Sequence, residues 1–168
     1  TTMVVSDLPM NALVQVEAVV SHGDGTPPQA PEDARNIVIV ANNTNNAPKG
    51  RYSQTVAFSH YNHISAQLPI DPKTDELVAG GVKEQCDQCL KNVKTIVESV
   101  GHEMGDIVKV NVAVKNINDI EAIDEIYLEF FPGGVPARRT IGVSDLPSGA
   151  LIQIDVVVSN AEGTPPKF

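Results

Sequence analysis

The stretch PARRTIGVSDLPSGALIQI, residues 136–154, joins two aliphatic strand patterns through a Ser-Asp-Leu-Pro loop. Most of it occurs again at the other end of the chain, because residues 1–29 align without gaps to residues 139–167 with more than half of the positions identical. The N-terminal copy lacks a counterpart of the sequence upstream of Arg139. We therefore predict a complete domain over residues 30–168, preceded in residues 1–29 by the last two strands and the linker of an upstream repeat.

The N-terminal copy is expected to need a partner. Two strands without neighbours expose a hydrogen-bonding edge and an apolar face. Residues 1–20 are therefore expected to pair with an upstream repeat fragment or with a neighbouring subunit. A start at Thr1 would result if a precursor had the same Pro-Ala-Arg before Thr1 and were cleaved after that Arg. The cleavage would be made by a trypsin-like protease or by self-processing that exposes a Thr nucleophile.

Composition and charge limit the possible functions. With 168 residues and a hydrophobic content of 42%, the chain has enough apolar material for one well-buried core. Its net charge of −9 argues against nucleic acid as a partner, because binding to a phosphate backbone depends on clustered Lys and Arg. No apolar run reaches the roughly 18 residues of a membrane helix, and the N-terminus lacks the basic region of a signal peptide. We expect a cytoplasmic protein that does not bind a membrane.

Hydrophobic periodicity predicts an α+β domain. Apolar residues recur with the helical period over residues 82–100, which Gly101 would end, and over residues 117–131, which Asn118 or Asp119 would cap. Alternating or β-branched segments predict strands over residues 3–5, 13–20, 36–41, 55–58, 63–66, 107–114, 140–143 and 151–158. From residue 34 onward the order is β-β-β-α-β-α-β-β, with both helices on one face of the sheet. Residues 21–33, rich in Gly and Pro, are expected to form a solvated connector.

Neither the cysteines nor the histidines predict a metal site. Cys86 and Cys89 form a CxxC that lies inside the first helical pattern, where residues three apart share a face. A structural zinc site needs four ligands and a redox CxxC normally opens a helix, so packing in the core is the preferred interpretation over metal or redox chemistry. His60 and His63 are expected to flank a solvated hairpin turn at Tyr61 and Asn62.

Several motifs in order along the chain point to one family. They are YSQ at 52–54, ISAQLP at 64–69, DPKT at 71–74, NVKTIVE at 92–98, GDIVK at 105–109, YLEFF at 127–131 and PAR at 136–138, followed by the loop described above. Together they resemble the RidA/YjgF family of reactive-intermediate deaminases over about residues 34–160. The resemblance implies a chorismate-mutase-like trimer, or a pseudo-trimer with the upstream repeat. Its three intersubunit clefts would hydrolyse small enamines or imines, such as 2-aminoacrylate or 2-iminobutyrate, to 2-keto acids and ammonia without a cofactor.

The resemblance also implies the residues of the site. Arg138, from the PAR motif, would hold the substrate carboxylate, a task for which the planar guanidinium is suited. Ser65 and Ala66 would bind the carboxylate through backbone N–H groups, and Tyr52 would pack on the substrate. Family members usually have Gly at the position of Ala66, so a positive φ there would strain this chain. Thr140 would lie near the substrate's side chain.

Two further positions depart from the family pattern. Gln153 replaces the usual Glu that is proposed to activate or orient the attacking water, and an amide cannot accept a proton in that way. Asp124 replaces a residue that is often Asn, either as part of the substrate site or as a surface charge of the helix. The sequence thus predicts a weak deaminase. The alternatives are a non-catalytic module that binds small carboxylates in the same cleft and, disfavoured by the negative charge, an endoribonuclease or translation inhibitor.

Overall fold

The computed structural model describes residues 2–6, 8, 12–16, 18, 38–42, 44, 52–58 and 61–159. In these residues a six-stranded sheet carries two helices on one face, which confirms the predicted α+β class. The elements in chain order are β1 Val38–Ala41, β2 Thr55–Phe58, β3 Tyr61–Gln67, β4 Ile70–Asp71, β5 Glu76–Leu77, α1 Val82–Ser99, β6 Ile107–Val114, α2 Ile120–Phe130, β7 Ala137–Gly142 and β8 Ile152–Ser159.

The strand order in the main sheet is β1-β2-β3-β8-β6-β7. Every neighbouring pair is antiparallel except β6 and β7, which run parallel because α2 crosses over between them. The predicted succession of strands and helices after residue 34 is confirmed. A separate hairpin of β4 and β5 was not predicted, because strands of two residues are too short to show an alternating pattern.

The core lies between the helices and one face of the sheet, which we call the helix face. Every second residue of β8 points to this face, and the apolar stripe of α1 covers it. The fully buried members include Cys86, Cys89, Leu90, Val93, Ile96, Val97, Val110, Val114, Ile152, Ile154 and Val158. The two cysteines are thus part of the core, as predicted.

A smaller apolar cluster lies on the opposite side of the sheet, which we call the second face. It contains Ala113, Val143, Leu146 and Ala150. The loop between β7 and β8 therefore folds back over the sheet and covers part of the second face.

The helix ends follow from backbone hydrogen bonds. Gly101 has a φ of +81°, and its N–H donates to the carbonyl of Glu98, so the glycine ends α1 as predicted. Asp119, one of the two predicted caps of the second helix, occupies the N-cap position of α2 but makes no side-chain cap hydrogen bond. Asn116 accepts a hydrogen bond from the N–H of Asn118 and begins a short 3-10 turn, and α2 follows that turn without a side-chain cap.

The predicted N-terminal strands are not formed in the described residues. Val4 makes a single bridge, in which its N–H donates to the carbonyl of Asp145 and its own carbonyl accepts from Ser144. Leu13, with 96% of its surface exposed, belongs to no strand. Apart from this bridge, no described strand pairs with the segment, and an alternating pattern forms a strand only when a neighbouring strand pairs with it. The connector over 21–33 and the boundary at residues 29 and 30 lie outside the described residues.

The predicted turn at Tyr61 and Asn62 is also wrong. Both residues belong to β3, where Tyr61 is the antiparallel partner of Phe58 on β2. Asn62 is buried, and its Oδ1 accepts a hydrogen bond from Thr55 on β2. His63 is an exposed residue of β3, and His60 lies outside the described residues.

Candidate active site

Arg138 lies on β7, an edge strand of the sheet, and points to the helix face. In the parallel ladder it is paired with Val110 of β6, a core residue, and paired residues place their side chains on the same side. Its guanidinium donates from Nη1 to Oδ1 of Asp124 at 2.6 Å. The Cζ atom lies 4.9 Å from the centroid of the Tyr127 ring, which is a cation–π geometry. A helix and a strand therefore hold one guanidinium in a fixed plane.

Asp124 is the residue of α2 that meets this guanidinium. Its side chain is 42% exposed, against 24% for Arg138, so the pair lies at the rim of the core and opens to solvent. Asp124 accepts no other hydrogen bond from the described part of the chain. Asp124 is thus the ionic partner of Arg138, a contact that neither sequence interpretation of this residue specified.

Tyr127 is the site residue that the sequence reasoning missed. It is three positions after Asp124 on α2 and therefore on the same side of the helix. Its ring is buried, its centroid is 4.6 Å from that of Phe131, and its hydroxyl has no hydrogen-bond partner among the described residues. Burial raises the pKa of the Tyr127 phenol to about 12, so the hydroxyl stays protonated and can donate. The sequence feature that could have identified Tyr127 is a tyrosine, rather than Leu or Phe, within the apolar stripe of the second helical pattern.

Thr140 shares the side of β7 on which Arg138 lies. It is two residues further along the strand, pairs with Val112 of β6 and is half-buried. The structure therefore places Thr140 and Arg138 on the helix face of the same strand. Their neighbour Arg139 is exposed and points to the second face, away from Arg138.

Gln153 lies on the other side of the sheet. It occupies β8 opposite Ala113, and the flanking Ile152 and Ile154 face the helices, so its own side chain points to the second face. The residue is only 4% exposed, and its Oε1 has no partner among the described residues. Within one chain, Arg138 and Gln153 are therefore on opposite faces of the sheet and cannot touch the same small molecule.

Ser65 and Ala66 form a β-bulge between β3 and β8. The ladder pairs Ile64 with Val156 and next Gln67 with Ile154, so three steps on β3 face two steps on β8. A bulge of this kind re-aims side chains and leaves the extra residue out of the ladder. The predicted carboxylate-binding backbone is thus the irregular part of an otherwise regular strand.

The bulge is anchored to the segment before β2. The N–H of Ser65 donates to the carbonyl of Gln54 at 2.9 Å, so the prediction that this N–H binds the carboxylate is wrong for Ser65, because the group is already used within the chain. The Oγ of Ser65 donates to the carbonyl of Ser53 at 2.7 Å. These bonds bring Tyr52, an exposed aromatic residue, next to the bulge. Among the described non-glycine residues only Asp75 and Ser148 have a positive φ, so the alanine at position 66 is not strained.

The thiols of α1 are protected by burial and are expected to be unreactive. Burial raises the pKa of the Cys86 thiol to about 12 and raises that of the Cys89 thiol above its ordinary value, so both stay protonated. We predict that native protein at pH 8 reacts with Ellman's reagent at a small fraction of the rate of protein in guanidinium chloride, where both thiols should react. Stoichiometric reaction of the native protein within minutes would contradict this.

The described residues contain neither a metal-binding cluster nor a membrane-spanning helix. No group of three or more His, Cys, Asp or Glu side chains there could hold a metal ion. No helix in the described part of the chain is both long and apolar enough to cross a membrane.

The chain is similar to known proteins over about two thirds to three quarters of its length. The model of the endoribonuclease L-PSP family matches residues 43–160. A RutC family protein of Pyrococcus horikoshii is 43% identical over 116 residues, which are 68% of this chain and 92% of that protein. A 2-iminobutanoate/2-iminopropanoate deaminase of Dermatophagoides farinae is 39% identical over 66% of this chain and 87% of its own length. The crystal structure of a putative endoribonuclease of Thermotoga maritima superposes with a TM-score of 0.67 at 36% identity, over 74% of this chain and 97% of that chain.

Proposed function

Since the chain belongs to the endoribonuclease L-PSP family, which includes the RidA and YjgF proteins, we propose that it hydrolyses small 2-imino acids or their enamine tautomers to 2-keto acids and ammonia. The observation that carries the proposal is the fixed guanidinium of Arg138 between α2 and β7. Such a group can hold a small carboxylate in a defined plane and so orient the adjacent C=N bond.

The residues around Arg138 suit this substrate class. Only one N–H of the guanidinium is used within the described chain, in the bond to Asp124, and the remaining donors are available to a carboxylate. The Tyr127 ring supports the guanidinium from one side, and Thr140, a small side chain on the same side of β7, would lie beside the substrate's aliphatic substituent. In the proposed reaction water adds to the imine carbon, and the resulting carbinolamine releases ammonia to leave the ketone.

Gln153 would take part only if a second subunit supplies it. The opposite orientations of Arg138 and Gln153 support a site between chains, in which the second face of one subunit meets the edge strand β7 of its neighbour. The unpartnered Oε1 of Gln153 fits this arrangement, because a buried acceptor without a partner is costly. We propose a trimer or pseudo-trimer in which Tyr52, Ser65 and Ala66 line the same cleft and the amide of Gln153 orients the attacking water.

The proposal is tested by turnover of freshly generated 2-iminobutanoate. The imine is produced in the assay by an amino acid oxidase, and semicarbazide trapping reports how much remains at each time. Addition of the protein should lower the trapped amount in proportion to its concentration. A decay rate equal to that in buffer at micromolar protein would contradict deaminase activity.

The variant Gln153→Glu is expected to be faster than the wild-type protein by about tenfold or more in kcat, because a carboxylate can act as the general base that an amide cannot. The matched control Gln153→Met keeps the length of the side chain, removes the oxygen and should be slower than wild type. A Glu variant no faster than wild type would contradict this role of residue 153.

One observation favours a second function, a module that binds 2-keto acids without turnover. The amide of Gln153 leaves position 153 without a general base. Binding of 2-oxobutanoate in the absence of imine hydrolysis would select this function. Endoribonuclease activity, which the family description names, is disfavoured by the net charge of −9, because RNA binding relies on basic side chains.

A further inference from the structure

The ion pair between Asp124 and Arg138 places a negative charge beside the proposed carboxylate site. Oδ1 of Asp124 is 2.6 Å from Nη1 of Arg138, and both side chains are partly exposed at the same rim. α2 and β7 hold the two groups, and the Tyr127 ring below the guanidinium restricts its movement. A ligand bound to the remaining N–H groups of Arg138 is therefore bound next to a carboxylate.

The consequence depends on the charge of the ligand. A simple anion gains from Arg138 but is repelled by Asp124, and at the short distances of a shared guanidinium this repulsion is substantial even with partial solvent screening. A ligand with an anionic and a cationic end gains from both members of the pair. In a protonated 2-imino acid the carboxylate and the nitrogen are on adjacent carbons, so both ends can reach the pair at once.

We infer that Asp124 makes this site selective for the zwitterionic form of the substrate, with the carboxylate on Arg138 and the iminium N–H donated to Asp124. The inference rests on the proposed function and names the substrate form at that same site. Asp124 acts here as a hydrogen-bond acceptor that touches the substrate, and the free oxygen of its carboxylate is the group available for this bond.

This arrangement also favours the reaction and the release of its product. Protonation makes the imine carbon more electrophilic. When water adds, a C–O bond forms and the π electrons of the C=N bond move to nitrogen. The water gives up both of its protons: the first passes to nitrogen before the C–N bond breaks, and the second passes from the carbinolamine hydroxyl to the released ammonia as the C=O bond forms. One iminium carboxylate and one water thus give one keto acid anion and one ammonium ion. The keto acid lacks the cationic end, and Asp124 therefore disfavours its retention.

The test compares Asp124→Asn with wild-type protein in two measurements. The first is the dissociation constant of 2-oxobutanoate by isothermal titration calorimetry, and we expect about tenfold tighter binding in the variant because the repulsion is gone. The second is kcat/KM for 2-iminobutanoate, which we expect to fall by about tenfold. A variant with a damaged structure would show weaker binding of 2-oxobutanoate and a lower kcat/KM. Tighter binding together with a lower kcat/KM therefore identifies the proposed role of Asp124.

The control is Glu125→Gln, which removes the same charge from the next residue of α2. Glu125 is exposed and paired with Lys83, away from Arg138, so neither measurement should change. If the wild-type protein turns over 2-iminobutanoate but Asp124→Asn binds 2-oxobutanoate no more tightly than wild type, the inference is overturned and the proposed function stays intact. Absence of both turnover and 2-oxobutanoate binding in wild-type protein would overturn the proposed function itself, and the inference with it.

Discussion

Replacement of Arg138 by alanine is expected to lower kcat/KM for 2-iminobutanoate by about two orders of magnitude. The variant loses the charge-assisted hydrogen bonds to the substrate carboxylate, and each factor of ten corresponds to about 1.4 kcal/mol. It also leaves Asp124 without its ionic partner, so the site changes from near neutral to negative and repels an anionic substrate. The measurement is initial rates over a range of imine concentrations, with the loss appearing in KM and kcat together.

Two further variants separate this role from a general effect of charge. Arg139→Ala removes the same charge from the adjacent residue of β7, which is exposed and points to the second face, so it should retain nearly full activity. Arg138→Lys keeps a positive charge but loses the planar fork, and intermediate activity is expected. Equal losses in the Arg138→Ala and Arg139→Ala variants would argue against Arg138 as the carboxylate-binding residue.

Replacement of Leu90 by alanine is expected to lower the free energy of unfolding by about 2–5 kcal/mol. Leu90 is fully buried on the apolar stripe of α1, where the helix packs on the sheet, and truncation leaves a cavity that its neighbours fill only in part. Since domains of this size are stable by only about 5–15 kcal/mol, the change is a large part of the total. Equilibrium unfolding in urea should show a lower midpoint with an unchanged slope.

The matched control is Leu128→Ala on the other helix. Leu128 is 58% exposed, so the same change of side chain should alter the free energy of unfolding by about 0.5 kcal/mol or less. Similar losses in the two variants would contradict the assignment of α1, rather than the exposed side of α2, to the core.

Much of the fold was predictable because its two periodicities are regular. The apolar stripe of α1 and the alternation in β6 and β8 extend over enough residues for the pattern to be distinguished from chance. The N-terminal segment shows the limit of this reasoning. It repeats the pattern of β7 and β8, yet its described residues form only the bridge of Val4. An alternating pattern shows which residues suit a strand, but not whether a neighbouring strand pairs with them.

The candidate site, like the fold, was predictable from the sequence only in part. From the sequence alone came the family, the α+β order and the residues Arg138, Thr140 and Gln153 as candidates, since these depend on residue types at set positions along the chain. Only the tertiary structure decided that Asp124 pairs with Arg138 over the ring of Tyr127, and that Gln153 points to the other face of the sheet. The physical reason is that both features depend on the assembled fold. The contact of Asp124 with Arg138 depends on how α2 packs on the sheet, and the face to which Gln153 points depends on ladder register. No local pattern in the sequence specifies either.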